Sequence, residues 1–444
     1  ITAIVERLEA LNKYPVLIFE NMLNEGGKQS QYPLVTNLLA SRVRYARICN
    51  STYERLGRDV HRLLMEEKRE PLVISSEESP VKEVVKTGDQ VDLFELPLAI
   101  HNTMDVGRYI AAGFFTTYDP DTGIDNCAIQ RGWVKEKNQI RALVAPRPGH
   151  NGWNLHKHEI KNQDMRAVMW IGHHPLGYTG GLAKLPYPGS HWEAMGGMLG
   201  EPLRLVASES LGDDFLVPAD AEVVIEGFVE ANKRYAEGPF GEFPGYYGGQ
   251  IINPQLTVTA VTHRKDLIWY DIVAGHTDHL MTGAPPLEGM LWEKLRPIFP
   301  SLVNVHMPLS GAGRFHAYLQ MKDPPLGAAK QAILQALTVN PFLIKHAFAF
   351  DDDVDIFSPK DVMWAIATRS QWARDVTLLP GTKQTALDPS RLWGPGDAGG
   401  IDCTKPWGEP YEERVGVDPE ILERTQLEDY ISSEALAGVS FESY

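Results

Sequence analysis

The sequence predicts an α+β protein: a β-rich centre flanked by two mixed α/β segments. Two observations predict it. Apolar residues recur at helical spacing near both ends of the chain, whereas residues 113 to 271 carry short β-branched and aromatic runs between Gly, Pro and Asp turns. A chain of 444 residues exceeds what one compact core serves and suggests two or three domains; the change of texture along it divides it at 1–110, 111–299 and 300–444.

In the first part, Ile1, Ile4, Val5, Leu8 and Leu11 share one helical face, and Pro15 closes that helix before an apolar strand from Val16 to Phe19. Helical patterns recur to about residue 70 and strands follow. In the centre, Gly113 to Tyr118 and Leu256 to Thr262 read as strands, and Asp119-Pro-Asp-Thr-Gly123 reads as a turn. In the last part, Leu326 to Leu337 reads as a helix and Lys345 to Phe350 as a strand. Asp351-Asp-Asp-Val-Asp355 lacks the Gly and Glu of a calcium loop and is expected to be a solvated turn. Ser358 then caps a helix with Pro359 in its first turn, and the Gly- and Pro-rich stretch Asp388 to Tyr411 is expected to be an ordered loop.

Composition narrows the function. With 43% apolar and 23% charged residues the chain is an ordinary globular one, and its net charge of −16 argues against nucleic-acid or anionic-membrane partners. No apolar run approaches the roughly 20 residues that span a bilayer. Cys49, Cys127 and Cys403 are odd in number and far apart, which suits a reducing cytoplasm better than a disulfide framework. The chain begins at Ile1, which leaves a preceding targeting segment open.

The most informative stretch is Glu237-Gly-Pro-Phe-Gly-Glu242, followed by Pro244-Gly-Tyr-Tyr-Gly248. Two carboxylates five residues apart, with two glycines and a proline between them, require a tight loop that can aim both acids at one point. There they raise one another's proton affinity, and burial keeps one protonated as a general acid. The same spacing also suits two solvated loop glutamates. A second stretch is Asn126-Cys-Ala-Ile-Gln-Arg131. Asn126 and Arg131 fall on opposite faces of a regular strand, so sharing one site requires Asn126 in a preceding turn, or a bulge. A buried Arg131 would need a partner, and the glutamate pair could provide it; a surface arginine is the plain alternative.

The 14 histidines include His150, His156 and His158, then His173 and His174, His191, and His276 and His279. His156 and His158 share a strand face or loop, weak grounds for metal binding. No phosphate-binding glycine loop and no nucleophile elbow is present.

Together these segments resemble the UbiD family of decarboxylases over essentially the whole chain. The resemblance lies in Tyr32-Pro-Leu-Val-Thr-Asn37 with Ser41-Arg42, in the two stretches above, in Asp352-Asp-Val-Asp-Ile-Phe357 with Trp364 and Thr368-Arg369, and in Gly400-Ile-Asp-Cys-Thr404. It implies an N-terminal α/β domain, a central split β-barrel like that of flavin reductases, and a C-terminal α/β domain through which such chains form homo-oligomers. It also implies a prenylated FMN, supplied by a flavin prenyltransferase, with Mn2+ or a similar divalent ion and K+ at the flavin phosphate. The implied reaction is a reversible, non-oxidative decarboxylation of an unsaturated acid, in which substrate carbon adds to the modified flavin, CO2 leaves and a glutamic acid protonates the product.

By motif, the resemblance implies that Arg131 contacts the flavin and pairs with Glu237, and that Glu242 is the proton donor. Around the cofactor it places Asn126, Ala128, Ile129, Gln130, Gly149, His150, Leu185, Pro186 and His191. The implied metal ligands are Asn126, His150 (with His156 as rival) and His191, which stands where the family has a glutamate; Glu193 would serve if the register slipped. The family's lysine before the Gly-Ile-Asp element is also missing: Asp397-Ala398-Gly399 occupies that stretch, and Lys405 lies elsewhere. Phe243, beside Glu242, suits the wall of a pocket for an aromatic or heteroaromatic acid. An FMN-dependent reductase or metallohydrolase, and a non-catalytic subunit on the same fold, are competing readings. Apolar surface for assembly is expected on Leu326 to Leu337 or on a terminal helix from Ile421 to Ile431.

Overall fold

The computed structural model describes residues 1–144, 150–340, 342–391, 394–406, 408 and 410–438. The opening segment supplies helices α1 (Thr2–Glu9), α2 (Arg42–Ile48) and α3 (Leu56–Met65), with short strands Leu17–Phe19 and Leu34–Thr36 between the first two. Ser41 starts α2 by accepting a hydrogen bond from the Arg44 N–H.

The centre is one nine-stranded antiparallel sheet. Its strands are β1 (Val84–Thr87), β2 (Tyr109–Ile110), β3 (Phe114–Tyr118), β4 (Asp125–Ile129), β5 (Gly132–Glu136), β6 (Gln139–Ala142), β7 (Met165–Ile171), β8 (Val223–Val229) and β9 (Gln255–His263). They run in the order β2-β5-β6-β9-β8-β7-β3-β4, with β1 also paired to β9. The sheet curls into the expected split barrel without closing, so β4 remains an edge strand. A register shift at Glu226/Gly227 between β8 and β9 marks a bulge of the kind that bends such a sheet. Helices α4 (His150–Glu159), α5 (Pro175–Gly181) and α6 (His191–Leu199) flank the β3–β4 side.

The long helix α7 (Thr277–Leu295) leads to a five-stranded sheet of β10 (Leu302–His306), β11 (His316–Met321), β12 (His346–Asp351), β13 (Val376–Thr382) and β14 (Gly396–Cys403), ordered β10-β11-β12-β14-β13. Helices α8 (Ala328–Val339) and α9 (Pro359–Arg369) pack on it. One hydrophobic cluster spans Tyr32 to Met281, and a second spans Ala284 to Ala398. At the junction of α3 and α7, Arg42 forms a bidentate pair with buried Glu288, to which His306 Nδ1 adds a contact at 2.7 Å.

Several local expectations are corrected. His156 and His158 lie on α4, not on a strand or loop, because the segment after residue 149 forms hydrogen-bonded turns. Asp351 to Asp355 forms the expected turn, with Asp352, Asp353 and Asp355 exposed, but two of its acids are paired: Arg369 holds Asp351 and Asp353 at 2.9 and 2.7 Å, and Lys405 reaches Asp353 at 3.1 Å. The stretch from Asp388 to Tyr411 contains β14, which pairs in parallel with β12. The Ile421–Ile431 helix is broken into α10 (Pro419–Arg424) and a single 3-10 turn, Leu427–Asp429. Among the described residues no helix is long and apolar enough to cross a membrane.

Candidate active site

The glutamate loop starts from the short strand Tyr235–Glu237, which pairs with Ile251–Asn253, and turns at Gly238. The φ of +87° at Gly238 is one that glycine adopts without penalty. Phe240–Gly241 then pairs with Tyr247–Gly248, and this second ladder brings Glu242 back beside Glu237. A side chain at Gly248 would stand 2.9 Å from Arg131 Nη1, so the glycine makes room for the guanidinium.

Arg131 occupies the short link between β4 and β5. Asn126 sits within β4, and neither a preceding turn nor a bulge is used: the strand ends at Ile129, which frees Arg131 from strand alternation. Its guanidinium bridges both acids, Nη2 to Glu237 Oε2 at 2.7 Å and Nη1 to Glu242 Oε1 at 2.5 Å.

The two acids are not equivalent. Glu237 is fully buried and also accepts Tyr109 O–H at 2.7 Å and Asn253 Nδ2–H at 2.8 Å. Glu242 is 8% exposed, and among the described residues Arg131 is its one side-chain hydrogen-bond partner. Burial raises the Glu242 carboxyl above the ordinary glutamate range; Arg131 opposes that rise and nearby Glu237 adds to it. Phe240 underlies the cluster, 4.1 Å from the Tyr109 ring and 5.6 Å from Arg131 Cζ. Phe243 is buried against Phe315, with ring centroids 5.3 Å apart.

A second recess opens along β4. Asn126, His150, Asp119, Asp125, Asn154, Tyr187 and Gly189 are among the residues that line it. Asn126 donates its amide to Asn151 Oδ1 at 2.7 Å, which leaves its own Oδ1 free to accept. His191 opens α6, where Asp125 accepts its backbone N–H at 2.7 Å. The His191 ring takes the Cys127 N–H at 3.4 Å on Nδ1 and also bonds the Ala183 backbone. Leu185 and Pro186 begin the turn that closes on Gly189. Gly149 lies outside the described residues. Among the described residues, no three His, Cys, Asp or Glu side chains are grouped to hold a metal ion.

Four residues of this region carry no signal in the sequence. Tyr109 and Asn253 fix Glu237. Lys184 lies beside the Ala183–His191 contact; crowding by protein, and then Arg314, hold its ammonium down at about 8 although the side chain opens to solvent. Arg314 lies over the Phe243 ring, 4.7 Å from its centroid.

The curled central sheet holds an arginine clamped between two acids, and comparison with known proteins assigns this arrangement to a class of carboxy-lyases. Residues 73–277 match the 3-octaprenyl-4-hydroxybenzoate carboxy-lyase Rift-related domain, and residues 280–403 match the C-terminal domain of the same enzymes. The UbiD-class enzyme HmfF from Pelotomaculum thermopropionicum, solved in complex with FMN, is 32% identical with a TM-score of 0.88, over 97% of this chain and 94% of that one. An evolved dimeric form of HmfF, solved with prFMN, aligns with a TM-score of 0.86 at 31% identity, over 97% of this chain and 93% of that one. The anhydromevalonate phosphate decarboxylase of Methanothermobacter thermautotrophicus is 29% identical over 90% of this chain and 91% of its own length. The chain belongs to the UbiD family and is a decarboxylase-type lyase.

Proposed function

We propose that the protein catalyses reversible, non-oxidative decarboxylation of an aromatic or heteroaromatic acid with a bound prenylated FMN, and that Glu242 is the proton donor. The observation that carries this reading is the unequal treatment of the two glutamates on Arg131: three side-chain donors hold Glu237, whereas Glu242 has the Arg131 side chain and the Phe243 backbone, and burial raises its proton affinity.

The residues fit a flavin. Buried Gln130 Oε1 and Arg131 Nε have no hydrogen-bond partner, so polar atoms are waiting where the resemblance places the ring. Edge strand β4 turns the Cys127 N–H outward, and Ile129, two residues on, faces the same way. Lys184, near enough for its charge to act on His191, would offer positive charge to the flavin phosphate in place of the family's missing lysine. A divalent ion fits less well. Asn126 and His150 offer donors to one recess, but the His191 ring is already bonded to the Cys127 N–H on Nδ1 and to the Ala183 backbone, so no step is routed through Mn2+ or K+. When bound, the prenylated flavin supplies the electrophilic framework that accepts the electron pair left by CO2.

The chain's own residues do the rest. Arg131 orients the reacting end of the acid, and Glu237 with Tyr109 and Asn253 keeps that guanidinium in place. Glu242 delivers its proton to the carbon that loses CO2 and recovers it from solvent through its exposed edge. In the carboxylation direction it removes the same proton, and CO2 concentration sets the balance. Phe243 forms an aromatic wall beside Glu242. A flavin prenyltransferase would supply the cofactor. Assembly into a homo-oligomer would cover the exposed apolar residues Val415, Val417, Leu422 and Tyr430 of the C-terminal arm.

The test is mass spectrometry and a visible spectrum of protein co-expressed with a flavin prenyltransferase, followed by a screen of aromatic acids for CO2 release. Bound prenylated FMN with CO2 release is the expected result. Activity with plain FMN as a reductase would overturn the proposal.

A further inference from the structure

One loop braces both acids of the site from outside. Residues 99–109 form a compact loop whose ends meet, the Tyr109 N–H donating to the Ala99 carbonyl at 3.1 Å. At its closing end the Tyr109 O–H holds the Glu237 side chain at 2.7 Å. Near its start His101 is buried, with Nε2 2.7 Å from Asp271 Oδ2 and its ring edge-on to Phe240 at 5.8 Å.

Between these anchors the loop runs along the glutamate turn. The Val106 N–H donates to the Pro239 carbonyl at 3.0 Å, and the Met104 N–H to the Tyr247 hydroxyl oxygen at 3.2 Å. Half-buried Asp105 makes the contact nearest Glu242. Its Oδ2 accepts the Asn102 N–H at 2.8 Å, and its Oδ1 accepts the Gly241 N–H at 2.9 Å. The first bond alone would make it an ordinary turn aspartate, but the second reaches across to a backbone 136 residues away. A side chain at Gly241 would stand 2.5 Å from Asn102 Nδ2, so that glycine permits the close approach. Glu242 follows directly, with its own N–H on the Tyr246 carbonyl at 2.9 Å.

We propose that Asp105 is a positioning residue for the proton donor: it fixes the Gly241 backbone so that the Glu242 carboxyl stays on Arg131. The kinetic consequence rests on Glu242 being the proton donor of the decarboxylase reading; the position of the carboxyl does not. Glu242 is faced by Arg131, by Glu237 and, from the β10–β11 turn, by Arg314. Arg131 lowers its proton affinity, so a Glu242 that drifts off the guanidinium binds its proton more tightly. Loss of the Asp105 charge without movement has the opposite sign, because removing a nearby anion favours ionisation. The direction of the shift therefore separates positioning from simple electrostatics.

The experiment is an infrared pH titration of the flavin-loaded protein, in which the protonated Glu242 carboxyl is the band that Glu242→Gln removes. In Asp105→Ala that band should titrate about one pH unit higher than in the unmutated protein. With an aromatic acid that releases CO2, kcat should fall about 10²-fold while KM stays within about two-fold, the mark of a misplaced group rather than a lost binding contact. The falling limb of kcat/KM should move to higher pH with the band. Asp105→Asn keeps one backbone acceptor and should show both effects at reduced size; it carries the test alone if Asp105→Ala does not fold. Thermal melting and the flavin spectrum verify that each variant is folded and loaded. A Glu242 band that stays put or moves to lower pH in a folded variant would overturn the inference and leave the decarboxylase reading standing. An upward shift in a protein that releases CO2 from no acid would support the positioning role and remove the decarboxylase reading instead.

Discussion

Arg131 Nη1 lies 2.5 Å from Glu242 Oε1, on the same fork whose Nη2 holds Glu237. One cation thus serves two acids, and burial raises the Glu242 carboxyl above the ordinary glutamate range. The predictions below follow from that sharing and from the packing around it.

Removing the cation leaves two buried carboxyl groups without compensation. Arg131→Ala should destabilise the protein by about 3–5 kcal/mol, since breaking a buried pair strands its partner. Urea unfolding of both proteins at neutral pH checks this, and an unchanged midpoint would count against the buried cluster.

The raised Glu242 carboxyl sets the high-pH limb of the reaction. A proton donor acts only while protonated, so kcat/KM should fall as pH rises through the elevated Glu242 value. Glu237 contributes to that elevation, and with Glu237 neutralised Arg131 serves Glu242 alone. Glu237→Gln should therefore move the falling limb to lower pH; a limb that stays put or moves upward contradicts the assignment.

Acid stability should depend on Glu288. Burial alone would raise this carboxyl, but Arg42 and His306 together bring it down to about 2 from an ordinary value of 4.5. A depressed carboxyl contributes stability that is fully present above its unfolded value and is lost as pH falls through the folded one. The loss should occupy roughly pH 4.5 to 2 and amount to about 3 kcal/mol. Comparing the pH dependence of unfolding with that of Glu288→Gln tests it: the variant should be less stable at neutral pH and show a flatter acid limb.

The β4 recess makes a separable prediction. Because His191 already bonds Cys127 and Ala183, His191→Ala should lower the melting temperature while leaving metal content unchanged. Asn126→Ala should instead lower cofactor retention. Elemental analysis with thermal melting distinguishes these, and loss of metal from a normally stable His191→Ala protein would restore His191 as a ligand.

The glutamate loop was legible because its chemistry is local: glycine and proline between two acids force a turn, and the turn converges them. The link to Arg131 was legible in outline, but its mechanism was not, since a strand ending at Ile129 leaves the same sequence pattern as a bulge. Lys184, Tyr109, Asn253 and Arg314 could not be read from spacing, because each is a lone residue delivered by tertiary packing. The ion pairs of Asp351 and Asp353 could not be read for the same reason, their partner Arg369 being a whole helix away.

The central claim, that Glu242 protonates the carbon that loses CO2, is tested most directly by CO2 release from cofactor-loaded Glu242→Gln. The account predicts that the variant keeps its flavin and loses at least ~10²-fold in turnover, the usual contribution of a positioned proton donor. Near-normal turnover in a loaded, folded Glu242→Gln protein would contradict it.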